Sequence, residues 1–294
     1  MLESLDRRFF HLRSLRVLNL DQNELKIINA DFSQLETLEI LSIKSNKIEE
    51  IDYRFCNLTN LTELSLCNNE IKELPHSFGK LSKLRALWLT GNSLRRLPHE
   101  EIITLADYDP KTGKRYKICA KGIGSLTELE ELFVECNSLE EITSDLANCK
   151  SLRYINLRRN MIRELPPALS RLENLQCVSA SSNRFNLFPE CLFNLPCLST
   201  LDLSYNKIQS LPESVMKATS LTDLDLSNNP LRQLPSIVSM TNNLLFLRTE
   251  NCRKTLDGKI IGPDSKPHVQ FAEQTPESIT VREAEARPSE LTLS

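Results

Sequence analysis

A nine-residue pattern, Leu-x-x-Leu-x-Leu-x-x-Asn, recurs along most of this chain of 294 residues and constrains its fold more than any other feature. The first leucines of its ten copies are Leu15, Leu38, Leu61, Leu84, Leu129, Leu152, Leu175, Leu198, Leu221 and Leu244. Successive copies begin 23 residues apart, except that Leu84 and Leu129 are separated by 45 residues, which is 22 more than the usual interval. A fixed period in the twenties predicts a solenoid of stacked units, each of which contacts only its neighbours.

Each copy of the pattern predicts a short strand followed by a turn. In one copy, Leu61, Leu64 and Leu66 alternate with small or polar residues, which indicates a half-buried strand. Asn69 follows where the chain must turn, and its side-chain amide can bond to backbone groups of its own repeat and the next. We therefore expect a buried asparagine ladder, with Cys252 in place of asparagine in the tenth repeat. The ladder residues are Asn23, Asn46, Asn69, Asn92, Asn137, Asn160, Asn183, Asn206 and Asn229.

A second apolar pattern follows each strand and predicts the opposite side of the solenoid. Ile71, Leu74 and Phe78 have counterparts in later repeats, and Pro75 suits the start of a short helical or 3₁₀ turn. The predicted fold is an α/β horseshoe with a parallel β-sheet on its concave face and short helices or 3₁₀ turns on its convex side. We expect about ten strands within residues 1–256, and a remnant of a C-terminal cap with a disordered tail over residues 257–294.

This combination of motifs resembles the leucine-rich repeat proteins of the 23-residue, Leu-x-x-Leu-Pro class. The chain is similar, over residues 2–256, to the Ras suppressor protein, the plant intracellular Ras-group proteins and the repeat regions of Erbin and Scribble. The resemblance implies an intracellular adaptor, often in small-GTPase or phosphatase signalling. It assigns no functional residue, because the chain matches no functional motif shared by the whole family.

The chain begins out of phase with the repeats. Leu2, Leu5 and Phe9 align with the convex-side residues of a later repeat, so Met1 precedes a unit whose strand is missing. Two interpretations are open: an alternative or truncated start, or an exposed edge that a partner or a second copy covers.

An insertion near residues 99–122 accounts for the one long interval. Two alternating runs, ITLADYD and KRYKICA, surround a Pro-Lys-Thr-Gly turn and predict a β-hairpin that leaves the convex or flanking side. The insertion is either a tolerated surface loop or a contact element. Its basic residues are Lys111, Lys114, Arg115, Lys117 and Lys121.

The third, fifth and seventh positions of each motif should face outward on the concave side. Trp88, Phe133 and Tyr154 fall there on consecutive repeats in the middle of the array. Aromatic and arginine side chains at the centre of a surface are typical of binding hot spots. The alternative is that Trp88 and Phe133 pack on one another, or under the hairpin, and only fill a gap. The charged residues assigned to this partner-binding site are Arg85, Arg153, Arg158, Glu131 and Glu135.

The residue types needed for catalysis or cofactor binding do not occur in suitable patterns. Asp202, Asp223 and Asp225 could bind a metal or transfer protons, but aspartate is also common at exposed strand positions of such repeats. The four histidines have no ligand spacing, and seven glycines form no phosphate-binding loop. We expect no enzyme activity, no cofactor and no metal site.

Composition limits the partners and the compartment. The net charge of −3 gives no global attraction to nucleic acid, and no apolar run is long enough for membrane insertion. Nine cysteines form no Cys-x-x-Cys pair and do not cluster at either end, which favours reduced thiols in the cytoplasm, or in the nucleus.

One segment of the predicted tail could dock to another protein. Val269 and Phe271 resemble the Val-x-Phe segment by which regulators bind protein phosphatase-1, although the usual basic residue is displaced to Lys266. A chance match is the alternative.

Three functions remain open from the sequence. The first is a non-enzymatic scaffold that binds a protein on its concave face. The others are a regulatory subunit or adaptor in phosphatase or small-GTPase signalling, and a structural component of a larger assembly whose oligomeric state the sequence does not define.

Overall fold

The computed structural model describes residues 1–108, 115–232, 243–252 and 290–292 of the chain. Its main element is a parallel sheet to which every repeat contributes one strand of three residues, as predicted. The strands of this sheet are β1 Val17–Asn19, β3 Ile40–Ser42, β5 Glu63–Ser65, β6 Ala86–Trp88, β9 Glu131–Phe133, β10 Tyr154–Asn156, β11 Cys177–Ser179, β12 Thr200–Asp202, β13 Asp223–Asp225, β14 Phe246–Arg248 and β15 Glu290–Thr292. Their order in the sheet is β14-β13-β12-β11-β10-β9-β6-β5-β3-β1-β15.

Short 3₁₀ turns form the convex side, so the structure is a leucine-rich solenoid with the predicted layers. Two further strands, β2 Ile27–Ile28 and β4 Glu50–Ile51, pair parallel with each other outside the main sheet. The 3₁₀ turns are η1 Arg7–His11, η2 Ala30–Gln34, η3 Tyr53–Asn57, η4 Phe78–Lys80, η5 Ile123–Ser125, η6 Ser144–Asn148, η7 Pro167–Arg171, η8 Glu190–Leu192 and η9 Glu213–Lys217.

The leucines of the motif form the core between the sheet and the turns. Leu64, Leu87 and Leu132 are register partners on neighbouring strands, and all three are fully buried. The register is continuous from one repeat to the next because each repeat places its leucines at the same distance along the strand. This alignment confirms the stacking that the 23-residue period predicts.

The asparagine ladder is present. Each side chain bonds within its own repeat, as expected, but its other bonds reach the preceding repeat and not the following one. The Asn69 Nδ2 donates to the carbonyl oxygens of Leu66 (3.0 Å) and Ile43 (2.8 Å), and its Oδ1 accepts from the Ile48 amide at 3.0 Å. The reason is that the turn of each repeat lies over the groups left unpaired by the repeat before it. In the tenth repeat the Cys252 thiol donates to the Leu226 carbonyl at 3.4 Å.

The turn before each ladder residue requires a left-handed backbone. Non-glycine residues adopt it at φ between 53° and 58°. At Gly91 (φ 69°) a side chain would also collide with the Asn68 Oδ1, which explains the glycine there. The non-glycine residues are Gln22, Ser45, Asn68, Cys136, Arg159, Ser182, Tyr205, Asn228 and Asn251.

The first convex unit differs from its predicted alignment by one residue. Phe10, not Phe9, is buried, and its ring lies 5.1 Å from that of Phe32, which in turn lies 6.5 Å from Phe55. Phe9, Leu2 and Leu5 pack against the core only in part. A unit that has no strand of its own is less constrained by the period than the repeats that follow it.

The insertion forms the predicted hairpin and leaves the ladder intact. Strands β7 Glu101–Tyr108 and β8 Arg115–Ala120 pair antiparallel. Across the insertion, the Asn137 Nδ2 still donates to the Leu89 carbonyl at 2.9 Å, and the Leu94 amide donates to the Asn137 Oδ1 at 3.0 Å. Two copies of the motif 45 residues apart are therefore neighbours in the stack.

The base of the hairpin is fixed to the flank of the solenoid. The Gly79 amide donates to the Lys121 carbonyl at 2.8 Å, and the Ile123 amide to the Pro98 carbonyl at 2.7 Å. A side chain at position 79 would collide with this backbone, which explains the glycine there. The Glu101 carboxylate lies 2.9 Å from the Nδ1 of His76.

Of the predicted tail, only Glu290–Thr292 are described, and they form strand β15 against β1. These three residues differ from the disorder expected for this region, because the outer edge of β1 carries backbone donors and acceptors that an added strand can pair. The remaining residues of the predicted tail lie outside the described part of the chain.

Candidate functional site

The concave side of the sheet carries a small apolar cluster that is separate from the core. Cys67, Ala86, Trp88 and Phe133 form this cluster, hereafter the concave cluster. Trp88 and Phe133 are register partners on β6 and β9, so these aromatics pack on one another, which is the arrangement given above as the alternative. Trp88 is 9% exposed and Phe133 8% exposed, because each covers the other's flank together with the two smaller residues.

This burial determines what removal of the indole would cost. Truncating a packed tryptophan to alanine costs on the order of 3–5 kcal/mol in a protein core, and Trp88 is nearly as buried as a core residue. Less drastic changes are therefore needed to test this surface.

Tyr154 belongs to a different row of the concave face. It pairs in register with Glu131 and Cys177, not with Phe133. Its side chain is 38% exposed, and its hydroxyl donates to the Gln176 Oε1 at 3.0 Å. The three aromatics thus lie in the middle of the array as predicted, but they do not form one continuous stripe.

A shallow groove begins at Tyr154 and continues over the C-terminal half of the concave face. It encloses about 230 Å³. Arg248 lies at its far end, where its Nη2 is 3.9 Å from the Asp223 Oδ1. The groove is lined by Tyr154, Gln176, Cys177, Ser199, Thr200, Asp223 and Arg248.

The predicted arginines lie beside the cluster and pair with glutamates at the rim. The Arg85 Nε is 3.5 Å from the Glu128 Oε2, and the Arg153 Nε is 3.8 Å from the Glu130 Oε2. Because these side chains are about half exposed, such ion pairs contribute little to stability. The side chain of Arg158 is exposed.

The predicted glutamates have different surroundings. The Glu135 Oε2 accepts from the Asn156 Nδ2 at 2.5 Å, which holds it against strand β10. Glu131 is half-buried beside the cluster, and burial raises the pKa of its carboxyl, with further contributions from Glu130 and Glu63. Burial also raises the pKa of Glu63.

Glu63, Cys67 and Ala86 are site residues that the sequence analysis did not single out. Glu63 occupies the same motif position as Glu131, two strands away, with Ala86 between them in register. Following the third motif positions from Glu131 by two repeats toward the N-terminus would have found it. Cys67 is a seventh-position residue, and only the structure shows how closely it approaches the indole.

Two of the three aspartates in the C-terminal half accept hydrogen bonds from residues that follow their own strands. The Asp202 Oδ1 accepts from the Ser204 amide (2.9 Å) and hydroxyl (2.7 Å), and the Asp225 Oδ1 accepts from the Ser227 amide at 2.8 Å. These bonds fix the exit of each strand, which is the structural role expected for aspartate at these positions. Within the described residues, no group of three or more potential ligands could hold a metal ion.

The convex side has a groove of its own that the sequence did not predict. It lies beside η7 and η8 and encloses about 480 Å³. Leu187, at its edge, is 72% exposed, and the rings of Phe188 and Phe193 stack at 4.6 Å beneath it.

Neither the predicted docking segment nor a membrane-spanning helix is found among the described residues. Val269 and Phe271, the predicted docking segment, lie outside the described residues. No helix in the described ranges is both long and apolar enough to cross a membrane.

Comparison with known families gives matches over most of the repeats. A profile described as "Leucine rich repeat" matches residues 2–48, 36–94, 127–185 and 181–231, which together cover more than half of the chain. A second profile of the same description matches residues 220–252. A comparison with curated proteins found none that matches.

Solved structures of several repeat proteins are similar to this one. A leucine-rich repeat protein of Leptospira interrogans is 27% identical with a TM-score of 0.52, and the alignment covers 86% of this chain and 71% of that chain. A TDR receptor is 31% identical with a TM-score of 0.66, but this chain spans only 41% of its length while 84% of this chain is covered.

A more distant neighbour supports the fold alone. It is a chain from a complex of latrophilin 3, Unc5D and FLRT2, in which FLRT2 supplies the leucine-rich repeats. The identity is 23% and the TM-score 0.67, with 84% of this chain and 71% of that chain covered.

Proposed function

This chain belongs to the leucine-rich repeat family, and we propose that it is a non-enzymatic scaffold that binds a partner protein on its concave face. Leucine-rich repeat domains generally serve as protein-interaction modules. The proposed contact surface is centred on the concave cluster and extends to Tyr154.

The observation that carries this proposal is the position of the concave cluster. An aromatic pair on the open face of the sheet, outside the main core, contributes nothing to the packing between sheet and turns. Around it lie charged side chains whose ion pairs are exposed and weak. An apolar centre with a polar rim is the usual arrangement of a protein-binding surface.

We further propose that the protein acts inside the cell, in the cytoplasm or the nucleus, as a signalling adaptor. Two observations support this. The repeat period of 23 residues matches the intracellular class that the chain resembles, and the eight cysteines whose side chains are described are free thiols. The proposed pathways, phosphatase or small-GTPase signalling, rest on that resemblance.

Binding on the face is favoured over end-to-end assembly. Strand β15 of the same chain pairs with the outer edge of β1, which a structural assembly would otherwise use. The face of the sheet has no such cover among the described residues.

Photo-crosslinking from two matched positions tests the proposal. Tyr154 on the concave face and Tyr53 on η3 are both exposed tyrosines, so each can be replaced by p-benzoylphenylalanine with little effect on folding. We expect irradiation in cells to link the variant at position 154 to one dominant protein, and the variant at position 53 to give no such product.

The opposite pattern would refute the proposal. A dominant product from position 53 alone, or products of equal yield from both positions, would place the partner elsewhere. Binding confined to the convex groove near Leu187 would appear as crosslinking from that residue and from neither tyrosine.

A further inference from the structure

The concave cluster lies beside a notch between two carboxylates. Glu63, Ala86 and Glu131 are register partners on β5, β6 and β9. Since adjacent strands are about 4.8 Å apart, the two glutamates lie roughly 10 Å from each other at the backbone. The alanine between them has the shortest side chain of the three, so the row dips at its middle, next to Trp88 on the same strand.

The two carboxylates have no cation of their own in the described part of the chain. The nearby arginines, Arg85 and Arg153, form their ion pairs with Glu128 and Glu130 at the rim. Neither Glu63 nor Glu131 has an ion pair or side-chain hydrogen bond among the described residues. Both are half-buried, and burial raises the pKa of each carboxyl, with smaller contributions from Glu130 and Glu63 to the shift at Glu131.

The concave face as a whole, with the notch included, has the same sign of charge. Its third, fifth and seventh motif positions carry eight carboxylates and three cations, a net charge of −5 that exceeds the −3 of the whole chain. The partner's surface should therefore be basic. The carboxylates are Asp21, Glu63, Glu131, Glu135, Asp202, Asp223, Asp225 and Glu250, and the cations are Lys44, Arg158 and Arg248.

We propose, on the basis of the binding function above, that the notch receives an arginine or lysine side chain presented by a basic segment of the partner protein. The head of that side chain lies between Glu63 and Glu131, and its aliphatic stem covers the exposed edges of Trp88 and Phe133. Arginine fits best, because its guanidinium is planar, weakly hydrated and suited to both carboxylates and aromatic faces.

The chain contains its own reporter for this contact. Trp88 is its only tryptophan, so tryptophan fluorescence, excited at a wavelength that the tyrosines hardly absorb, reports on this site alone. The probes are two short peptides, acetyl-Leu-Arg-Leu-amide and acetyl-Leu-citrulline-Leu-amide, which differ in charge but hardly in shape. We expect the arginine peptide to change the emission saturably, with a Kd of about a millimolar, and the citrulline peptide to bind at least roughly tenfold more weakly.

Two double variants separate the notch from general electrostatics. Glu63→Gln with Glu131→Gln should abolish the preference for arginine. Glu140→Gln with Glu141→Gln removes the same charge from exposed positions away from the notch and should leave that preference unchanged. Circular dichroism verifies that both variants are folded, and glutamine preserves the side-chain size.

Several outcomes would overturn the inference. They are equal binding of the two peptides, an arginine preference that survives in Glu63→Gln with Glu131→Gln, or competition by micromolar calcium chloride, which would make the notch a metal site. Crosslinking from Tyr154 without any preference for arginine would refute this inference and leave the proposed function standing. Crosslinking from Tyr53 alone would refute the proposed function itself.

Discussion

At the scale of single residues, the asparagine ladder shows how one side chain stabilises two repeats. Each ladder amide replaces backbone pairing that a sharp turn cannot provide. The buried Asn137 is the most informative member, because its bonds to Leu89 and Leu94 cross the point where the hairpin leaves the stack. Removing it would leave buried backbone groups without partners.

We predict that Asn137→Ala lowers the free energy of unfolding by about 2–4 kcal/mol, since several buried backbone groups lose their partners. The control is Asn174→Ala, an exposed asparagine whose Nδ2 makes one bond to the Lys150 carbonyl at 2.9 Å. Its cost should stay below about 1 kcal/mol. Urea denaturation measures both, and equal costs for the two variants would contradict the structural role of the ladder.

Glu131 gives a prediction for the effect of pH on stability. Burial, Glu130 and Glu63 raise the pKa of its carboxyl above the ordinary value of 4.5 in the folded state. The folded state therefore holds this proton more tightly than the unfolded state does. The ionised carboxylate destabilises the fold above its folded pKa, and this cost disappears as the pH falls through that pKa toward 4.5.

Glu131→Gln removes this cost, so we predict a higher melting temperature than wild type at pH 7. The difference should shrink as the pH approaches 4. Thermal denaturation at both pH values measures it, with the exposed Glu140→Gln as control. A variant that is less stable than wild type at pH 7 would show that the carboxylate makes a favourable contact in the fold.

The sequence predicts where these residues face, but not how they are packed. Period-two alternation places Trp88 and Phe133 on the concave side, and the structure agrees. The burial of Trp88 depends on the sizes of Cys67 and Ala86 on neighbouring positions, which no periodicity encodes. For the same reason the notch between Glu63 and Glu131 becomes visible only when three strands are aligned.

At the scale of elements, the hairpin β7–β8 is an addition that the repeat does not need. In an uninterrupted repeat Pro75 is followed, after two residues, by the buried Phe78. Joining Pro98 directly to Lys121 would place the buried Ile123 at the same distance. The existence of the hairpin could be predicted from the two alternating runs around a turn. Its attachment to the flank of the solenoid through Gly79 and Lys121 could not be predicted.

We predict that a variant without residues 99–120 folds into the same solenoid. The deletion restores the 23-residue interval between the copies at Leu84 and Leu129. The contacts of Glu100 with Asp145 and of Glu101 with His76 are lost, so the melting temperature should fall by only a few degrees, which corresponds to about 1 kcal/mol. Circular dichroism and calorimetry check this, and loss of cooperative unfolding would show that the hairpin is part of the folding unit.

At the scale of the whole molecule, stability is distributed along the array. Each repeat contacts only its neighbours, so the position of a defect should matter as much as its size. A central repeat has an interface on each side, whereas the last one, at β14, has one described interface and a half-buried strand.

We predict that Leu132→Ala, at the centre, costs about 3–5 kcal/mol and divides the array into two halves that unfold separately. Leu224→Ala, on β13, should have a comparable local cost but leave the N-terminal repeats cooperative. In urea, Trp88 fluorescence and circular dichroism should give different midpoints for these variants. Coincident midpoints for both would mean that the ten repeats unfold as one unit.

The way the stack closes behind the hairpin has a practical consequence for protein engineering. Both strands of the hairpin leave and rejoin the solenoid at adjacent points, through Pro98 and Lys121, while the ladder continues beneath them. A guest domain with adjacent termini, such as a fluorescent protein, could be spliced in at this junction in place of residues 99–120. The guest domain would then be attached neither to a chain terminus nor to the concave face of the solenoid. The junction therefore offers a fusion point for imaging or immobilisation.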